Sequence, residues 1–293
     1  MRIVFIGGVK FSKSALEHLL NLGLEIVGVC TQNSSNLNSD WNDLGEICIN
    51  RNIPVNYPSN INSPENVNWI RALNPDIIFC LGWSQLIKRD ILELPKMGVI
   101  GYHPSDLPNN RGRHPITWAL ALGLDKIGSC FFVMDEGIDS GDIISKKILD
   151  VELDDDAATL YEKVTNIALD QLSDLVPKLS AKNFERIPQD HQSANIWRKR
   201  TDKDRMIDWR MSAISIHNLV RSLAHPYIGA QFVDNGQFIT AWKTSIQGNH
   251  HLNYEPGKII ERNFRGTVIK CGDGSILLEI TEPENWIPSG DYL

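Results

Sequence analysis

Arg2-Ile-Val-Phe-Ile6, the pair Gly7-Gly8 and then Leu24-Glu-Ile-Val-Gly-Val-Cys30 decide how this chain is read. Two short apolar, β-branched runs bracket a segment in which Ala15, Leu16, Leu19 and Leu20 recur at helical spacing behind Ser12, a residue suited to cap a helix. Strand, glycine turn, helix and strand in that order make a βαβ unit. The rhythm continues with a helix over Trp41 to Arg51, a short strand over Ile53 to Tyr57, a helix over Pro64 to Leu73 and a buried apolar run from Asp76 to Gly82. A strand over Pro95 to Tyr102, a helix over Pro115 to Gly123 and a strand over Lys126 to Met134 follow. The expectation is an α/β fold built on a Rossmann-like, mainly parallel sheet. Ligands of such sheets gather at the carboxyl ends of the strands. There the loops Gly8 to Ser12, Leu81 to Ile87, Tyr102 to His114 and Met134 to Asp142 all fall.

Ala157 to Val176 reads as a long helix with Leu160, Val164, Ile167, Ala168, Leu172 and Leu175 on one face. From Phe184 to Arg200 the pattern dissolves into polar residues around Pro188, as in a linker. Beyond it lie a helix over Ile214 to Leu223 and short strand-like runs, Gln231-Phe-Val, Phe238 to Trp242, Gly266 to Cys271 and Ser275 to Ile280, separated by glycine-containing turns. The expected domains are therefore 1–188, a linker at 189–200, and a small β-barrel-like domain of OB type at 201–293.

Composition bounds the function. With 293 residues, 42% hydrophobic and 22% charged, the chain is ordinary globular material. A formal net charge of −7 gives no global attraction to phosphate backbones, so small molecules are expected as partners and nucleic acid is not. The five cysteines are scattered without C-x-x-C spacing, which indicates neither a disulfide framework nor a zinc site. His250-His251 lie in a polar Gly-Asn turn without accompanying ligands, so they read as a solvated loop, and no metal is expected. The N-terminus runs straight into a strand and no apolar run is long enough to span a bilayer. A cytoplasmic protein with no membrane partner is the expectation. Gly7-Gly8 lacks the third glycine of a dinucleotide fingerprint, which weakens a dehydrogenase reading.

The polar residues that an apolar core cannot use concentrate in His103-Pro-Ser-Asp-Leu-Pro-Asn-Asn-Arg111-Gly and, further on, in Ile138-Asp139-Ser-Gly141. These two linked motifs resemble the folate-dependent formyltransferases at the family spacing. The resemblance continues through Gly82 to Leu92. It extends past the linker in Arg200-Thr-Asp-Lys-Asp, Ile207-Asp-Trp209, His217-Asn-Leu-Val-Arg221, Pro226-Tyr-Ile-Gly229-Ala and Trp242, which look like the second domain of the family's nucleotide-sugar N-formyltransferases.

That resemblance implies transfer of a formyl group from N10-formyltetrahydrofolate to an amine. The reaction passes through a tetrahedral oxyanion and needs a donor for the developing charge and a group that manages protons. It gives the donor role to His103, and to Asp139 the support of that imidazole and help in deprotonating the amine. It sets the pterin in an apolar slot at the Trp83 to Lys88 loop, near the main chain of Leu86 and Ile87, with Asp139 alongside. For a nucleotide-sugar acceptor the candidates are Lys10, Arg221 and Tyr227. The expected acceptor is a UDP- or dTDP-linked 4-amino-4,6-dideoxy sugar used in surface glycans, and a homodimer is expected because such enzymes are often dimers. Two other readings share the motifs: a methionyl-tRNA formyltransferase, and a folate-binding module without transfer activity.

One position departs from the pattern. Two residues before His103 the family usually carries Asn, and here stands Gly101. The reading is that another group supplies the missing hydrogen bond, with His114 first and Asn109, Asn110 or an ordered water as competitors.

Overall fold

Ile3, Val4, Phe5 and Ile6 are wholly buried, as a strand covered on both faces requires. The computed structural model describes residues 1–34, 40–248, 253–284 and 286–293; His250 and His251 lie outside the described residues. In chain order the elements are β1 (Arg2–Ile6), α1 (Lys10–Asn21), β2 (Glu25–Cys30), α2 (Gly45–Asn50), β3 (Val55–Asn56), α3 (Pro64–Ala72), β4 (Ile77–Cys80), α4 (Arg89–Leu92), β5 (Val99–His103), β6 (Arg111–Gly112) and α5 (Pro115–Ala121). Then come β7 (Lys126–Val133), β8 (Ile143–Asp150), α6 (Ala157–Ser180), β9 (Ile196–Trp197), a 3-10 turn at Asp202–Arg205, α7 (Ala213–Ser222), β10 (Ala230–Asp234), β11 (Gln237–Gln247), β12 (Ile259–Asn263), β13 (Gly266–Lys270) and β14 (Ser275–Glu282).

The chain forms two compact units. The first comprises Met1–Gly112, Gly128–Leu149 and Glu162–Trp197; the second comprises Arg113–Ile127, Asp150–Tyr161 and Arg198–Leu293. The stretch read as a linker is thus divided, and residues up to Trp197 belong to the first unit. There Ile187 bridges Ile143, and β9 pairs in parallel with β6.

The sheet of the first unit has the order β3-β2-β1-β4-β5-β7-β8. β1 to β5 run parallel, and β7 pairs antiparallel to β5 with Gly101 opposite Phe132 and His103 opposite Cys130. The sheet is the one expected, with β8 added at its edge. Ser145, Lys146 and Lys147 break the apolar pattern of β8 because an edge strand is only partly covered. α2 is shorter than expected, beginning after Asp43, whose carboxylate accepts the Gly45 N–H at 2.8 Å.

α1 begins at Lys10, so Ser12 stands inside its first turn. The Ser12 hydroxyl accepts the N–H groups of Gly8 and Val9, each at 3.1 Å, and donates to the Leu81 carbonyl at 2.6 Å. A side chain at Gly7 would stand 2.5 Å from that carbonyl and 2.6 Å from Ser12 Cβ, so the residue at this crossing of β1 and β4 has to be glycine.

In the second unit five antiparallel strands in the order β10-β11-β14-β13-β12 form a sheet. α7 covers it, capped by Ser212, whose hydroxyl accepts the Ser215 N–H at 3.2 Å. Their shared core includes Trp209, Ile216, Val220, Phe232, Ile276 and Leu278.

Candidate active site

His103 ends β5 and is 6% exposed. Both edges of its ring face a partner. Nε2 lies 2.9 Å from the main-chain carbonyl of Asn110, and Nδ1 lies 3.6 Å from Asp139 Oδ2. A carbonyl oxygen only accepts, so Nε2 carries a proton, and that bond fixes the orientation of the imidazole. The structure therefore brings His103 and Asp139 together, the two residues given the transfer chemistry by their motifs.

Asp139 adopts the left-handed conformation at φ 49°, which Asp tolerates better than most residues. Its Oδ2 also accepts the Gly112 N–H at 2.9 Å. Asn110 is left-handed too, at φ 64°. Asn195 holds it there: the Asn110 N–H donates to Asn195 Oδ1 at 2.8 Å, Asn195 Nδ2 donates to Asn110 Oδ1 at 3.2 Å, and the Arg111 N–H donates to the Asn195 carbonyl at 3.1 Å. The residues from 187 to 197 that looked like a linker thus contact the loop over His103. Sequence reading missed Asn195 because polar side chains that bond to main chain leave no periodic signal.

Gly101 is explained by its cross-strand neighbour. A Cβ at this position would stand 2.8 Å from Phe132 Cζ and 2.9 Å from Met134 Cγ. The place of an Asn side chain is filled by an aromatic ring, itself 2% exposed. Asn110, one of the groups considered as its replacement, meets His103 through its main-chain carbonyl.

Around the Gly82 to Leu92 segment, Leu86 is 55% exposed while Ile87 is buried. Asn62 Nδ2 donates to the Leu86 carbonyl, and Asn62 Oδ1 accepts the Lys88 N–H, both at 2.8 Å. The neighbouring Trp83 indole N–H is buried without a partner among the described residues, a state that costs free energy unless a ligand supplies an acceptor. Lys10, the first residue of α1, is exposed.

His114, Arg221 and Tyr227 belong to the second unit. His114 precedes α5 at φ 57°, and burial together with Arg113, Arg200 and Lys199 pulls its pKa below the ordinary imidazole value. Arg221 is 7% exposed and its guanidinium is already committed: Nη1 donates to the carbonyls of Glu152 and Asp155, each at 2.9 Å, and Nε donates to Asn218 Oδ1 at 2.9 Å. Tyr227 packs against the core of this unit. A cavity of about 1080 Å³ opens within the same unit, with the parallel-stacked rings of His225 and Trp242 (centroids 4.1 Å apart) and the carboxylates Asp154, Glu279, Glu282 and Glu284 on its wall. Arg198 and Arg200 both lie over the Trp118 ring and both bond to Asp204.

Among the described residues no group of three or more His, Cys, Asp or Glu is arranged to hold a metal ion, and no helix is long and apolar enough to cross a membrane. Burial pushes the thiols of Cys30, Cys80 and Cys130 up to about 12, which leaves them protonated and unsuited to nucleophilic attack. What remains is a buried imidazole with its Nε2–H on the Asn110 carbonyl and its Nδ1 facing the Asp139 carboxylate. Such a pair stabilises a developing oxyanion and accepts a proton without forming a covalent enzyme intermediate.

Comparison with known proteins bears on the same two units. Residues 1–176 match the formyl transferase family and residues 199–288 match the formyl transferase C-terminal domain. A methionyl-tRNA formyltransferase of Caldanaerobacter subterraneus subsp. tengcongensis is 31% identical over 288 residues, covering 96% of this chain and 92% of its own length. Among solved structures, an N-formyltransferase from Helicobacter canadensis in complex with folinic acid and dTDP-3-aminofucose superposes with a TM-score of 0.74 at 18% identity, over 94% of this chain and 98% of its own. The methionyl-tRNA formyltransferase from Clostridium thermocellum has a TM-score of 0.63 at 20% identity, over 84% and 94%. At these identities the two structures show a shared fold and no more. Since the first match spans more than half of the sequence and the likeness to the Caldanaerobacter protein runs through both units, this chain belongs to the formyl transferase family.

Proposed function

We propose that this protein transfers the formyl group of N10-formyltetrahydrofolate to the amine of a nucleotide-linked amino sugar, of the UDP- or dTDP-4-amino-4,6-dideoxy type, for surface glycans. The observation that carries transfer is the buried imidazole of His103 set between the Asn110 carbonyl and the Asp139 carboxylate. The amine nitrogen attacks the formyl carbon, and the carbonyl oxygen takes the negative charge toward the His103 Nε2–H, which exchanges the Asn110 carbonyl for it. The bond from the formyl carbon to N10 then breaks, and the proton lost by the amine passes to Asp139, directly or through water, and from there to N10. The folate fits the Leu86 and Ile87 segment, where an exposed Leu side chain offers apolar surface and the orphaned Trp83 N–H offers a donor to a pterin acceptor.

The choice of acceptor rests on charge. The chain carries a net charge of −7, which gives no global attraction to the long phosphate backbone of a nucleic acid. Methionyl-tRNA is the second reading, favoured by the 31% identity to a protein of that name. Incubation with the formylated folate and either a panel of UDP- and dTDP-linked amino sugars or methionyl-tRNA separates the two by product mass. A one-formyl mass gain on a sugar nucleotide supports the proposal. Formylation of tRNA alone overturns its acceptor, and folate binding without transfer to anything leaves a binding module.

A further inference from the structure

We infer that Gln189, in the stretch that reads as a linker, is a positioning residue that sets Asp139 against His103; the inference rests on these two residues carrying the transfer. Gln189 is 6% exposed and its amide is saturated. Nε2 donates to the main-chain carbonyls of Asp139 at 2.9 Å and Gly141 at 2.7 Å, and Oε1 accepts from Arg111 Nε at 3.1 Å and Nη2 at 2.7 Å. The orientation of the amide is unambiguous, because the carbonyls only accept and the guanidinium only donates.

This one side chain joins the Asp139 to Gly141 turn to Arg111, the residue after Asn110. The same turn and strand are joined a second time where Gly112 N–H meets Asp139 Oδ2. Asp139 sits at positive φ, and such a conformation persists only where its surroundings over-determine it. Gln189 holds the very peptide that fixes it. The 3.6 Å separation of Asp139 Oδ2 from His103 Nδ1 is just beyond a hydrogen bond, so a shift of half an ångström or so in the turn decides whether the carboxylate engages the ring.

The test compares wild type with Gln189→Met, which keeps the length and removes all four bonds, and Gln189→Glu, which keeps the acceptor for Arg111 and removes the two donors to the turn. Nitrogen NMR of ring-labelled histidine reads the two nitrogens of His103 without needing any acceptor substrate; initial rates read kcat and the folate KM. In both variants the His103 nitrogen signals are expected to move, with kcat lowered by about 10- to 100-fold, as for a reacting group displaced by up to an ångström, and an unchanged folate KM. Gln189→Glu supplies the answer if Gln189→Met does not fold, since its carboxylate still pairs with Arg111. Superimposable His103 signals and an unchanged kcat in a folded variant would overturn the inference. If the wild type formylates no amine while the His103 signals still move, the functional reading fails and the positioning role of Gln189 stands.

Discussion

Phe132 stands directly across the antiparallel ladder from Gly101, and its ring fills the space that a side chain at 101 would enter. The glycine two residues before His103 and the aromatic ring opposite it are two sides of one packing arrangement.

Restoring the Asn alone is therefore expected to fail. Gly101→Asn would overpack Phe132 and Met134 and destabilise the fold by about 1–3 kcal/mol, read as a lower urea midpoint, without raising the transfer rate. Gly101→Asn combined with Phe132→Ala should cost less than the sum of the two single substitutions. A single variant as stable as wild type would show that the ring yields easily.

Asp139→Asn keeps an acceptor for the Gly112 N–H and a residue tolerant of positive φ, but removes the charge facing His103. The fold should survive, with turnover reduced by about 10²- to 10⁴-fold, the range for a lost acid–base group. Asp139→Ala should lose stability as well, by about 1–2 kcal/mol for an ordinary residue held left-handed. Equal turnover in wild type and Asp139→Asn would remove Asp139 from the chemistry.

The unpartnered Trp83 N–H gives a prediction about folate. Trp83→Phe deletes a donor that bonds to nothing among the described residues, so stability should not fall on that account. Folate binding measured by calorimetry should weaken by roughly 0.5–1.5 kcal/mol, the net worth of one hydrogen bond. Unchanged affinity would mean that the indole N–H does not face the pterin.

His114 and His217 both contribute to the response to mild acid. Burial, reinforced by Arg113, Arg200 and Lys199 at His114 and by Arg221 at His217, lowers both values below the ordinary 6.5. The unfolded chain then binds more protons than the folded one as pH drops through 6.5, so stability is whole above that value and declines below it. Carboxylates act in a separate window: Asp208, pushed down to about 2 by Arg210, withdraws its contribution only as pH falls below 3.8. Urea midpoints one unit either side of 6.5 should differ, with the lower pH less stable, and His217→Gln should flatten the difference. A midpoint that rises on acidification would contradict the assignment.

The sheet was legible because Arg2–Ile6, Glu25–Cys30 and Lys126–Val133 are apolar runs whose burial demands strands, and His103 and Asp139 were legible because their motifs stand at a family spacing. Residues 187–197 were not. Gln189 and Asn195 contribute by saturating main-chain and guanidinium groups of distant loops, and a polar residue bonded to a partner far along the chain looks like any other polar residue beside Pro188. Phe132 was legible as a strand residue, but its place over Gly101 depends on the register between β5 and β7, which neither strand reveals alone.

In the proposed reaction His103 is the group that meets the developing oxyanion. The most direct measurement is the single-turnover rate of formyl transfer to the best acceptor in wild type and in His103→Ala, with folate affinity determined side by side. A rate about 10²- to 10³-fold lower with folate affinity retained is the predicted result, as for a lost oxyanion donor. Equal rates in the two proteins would contradict it.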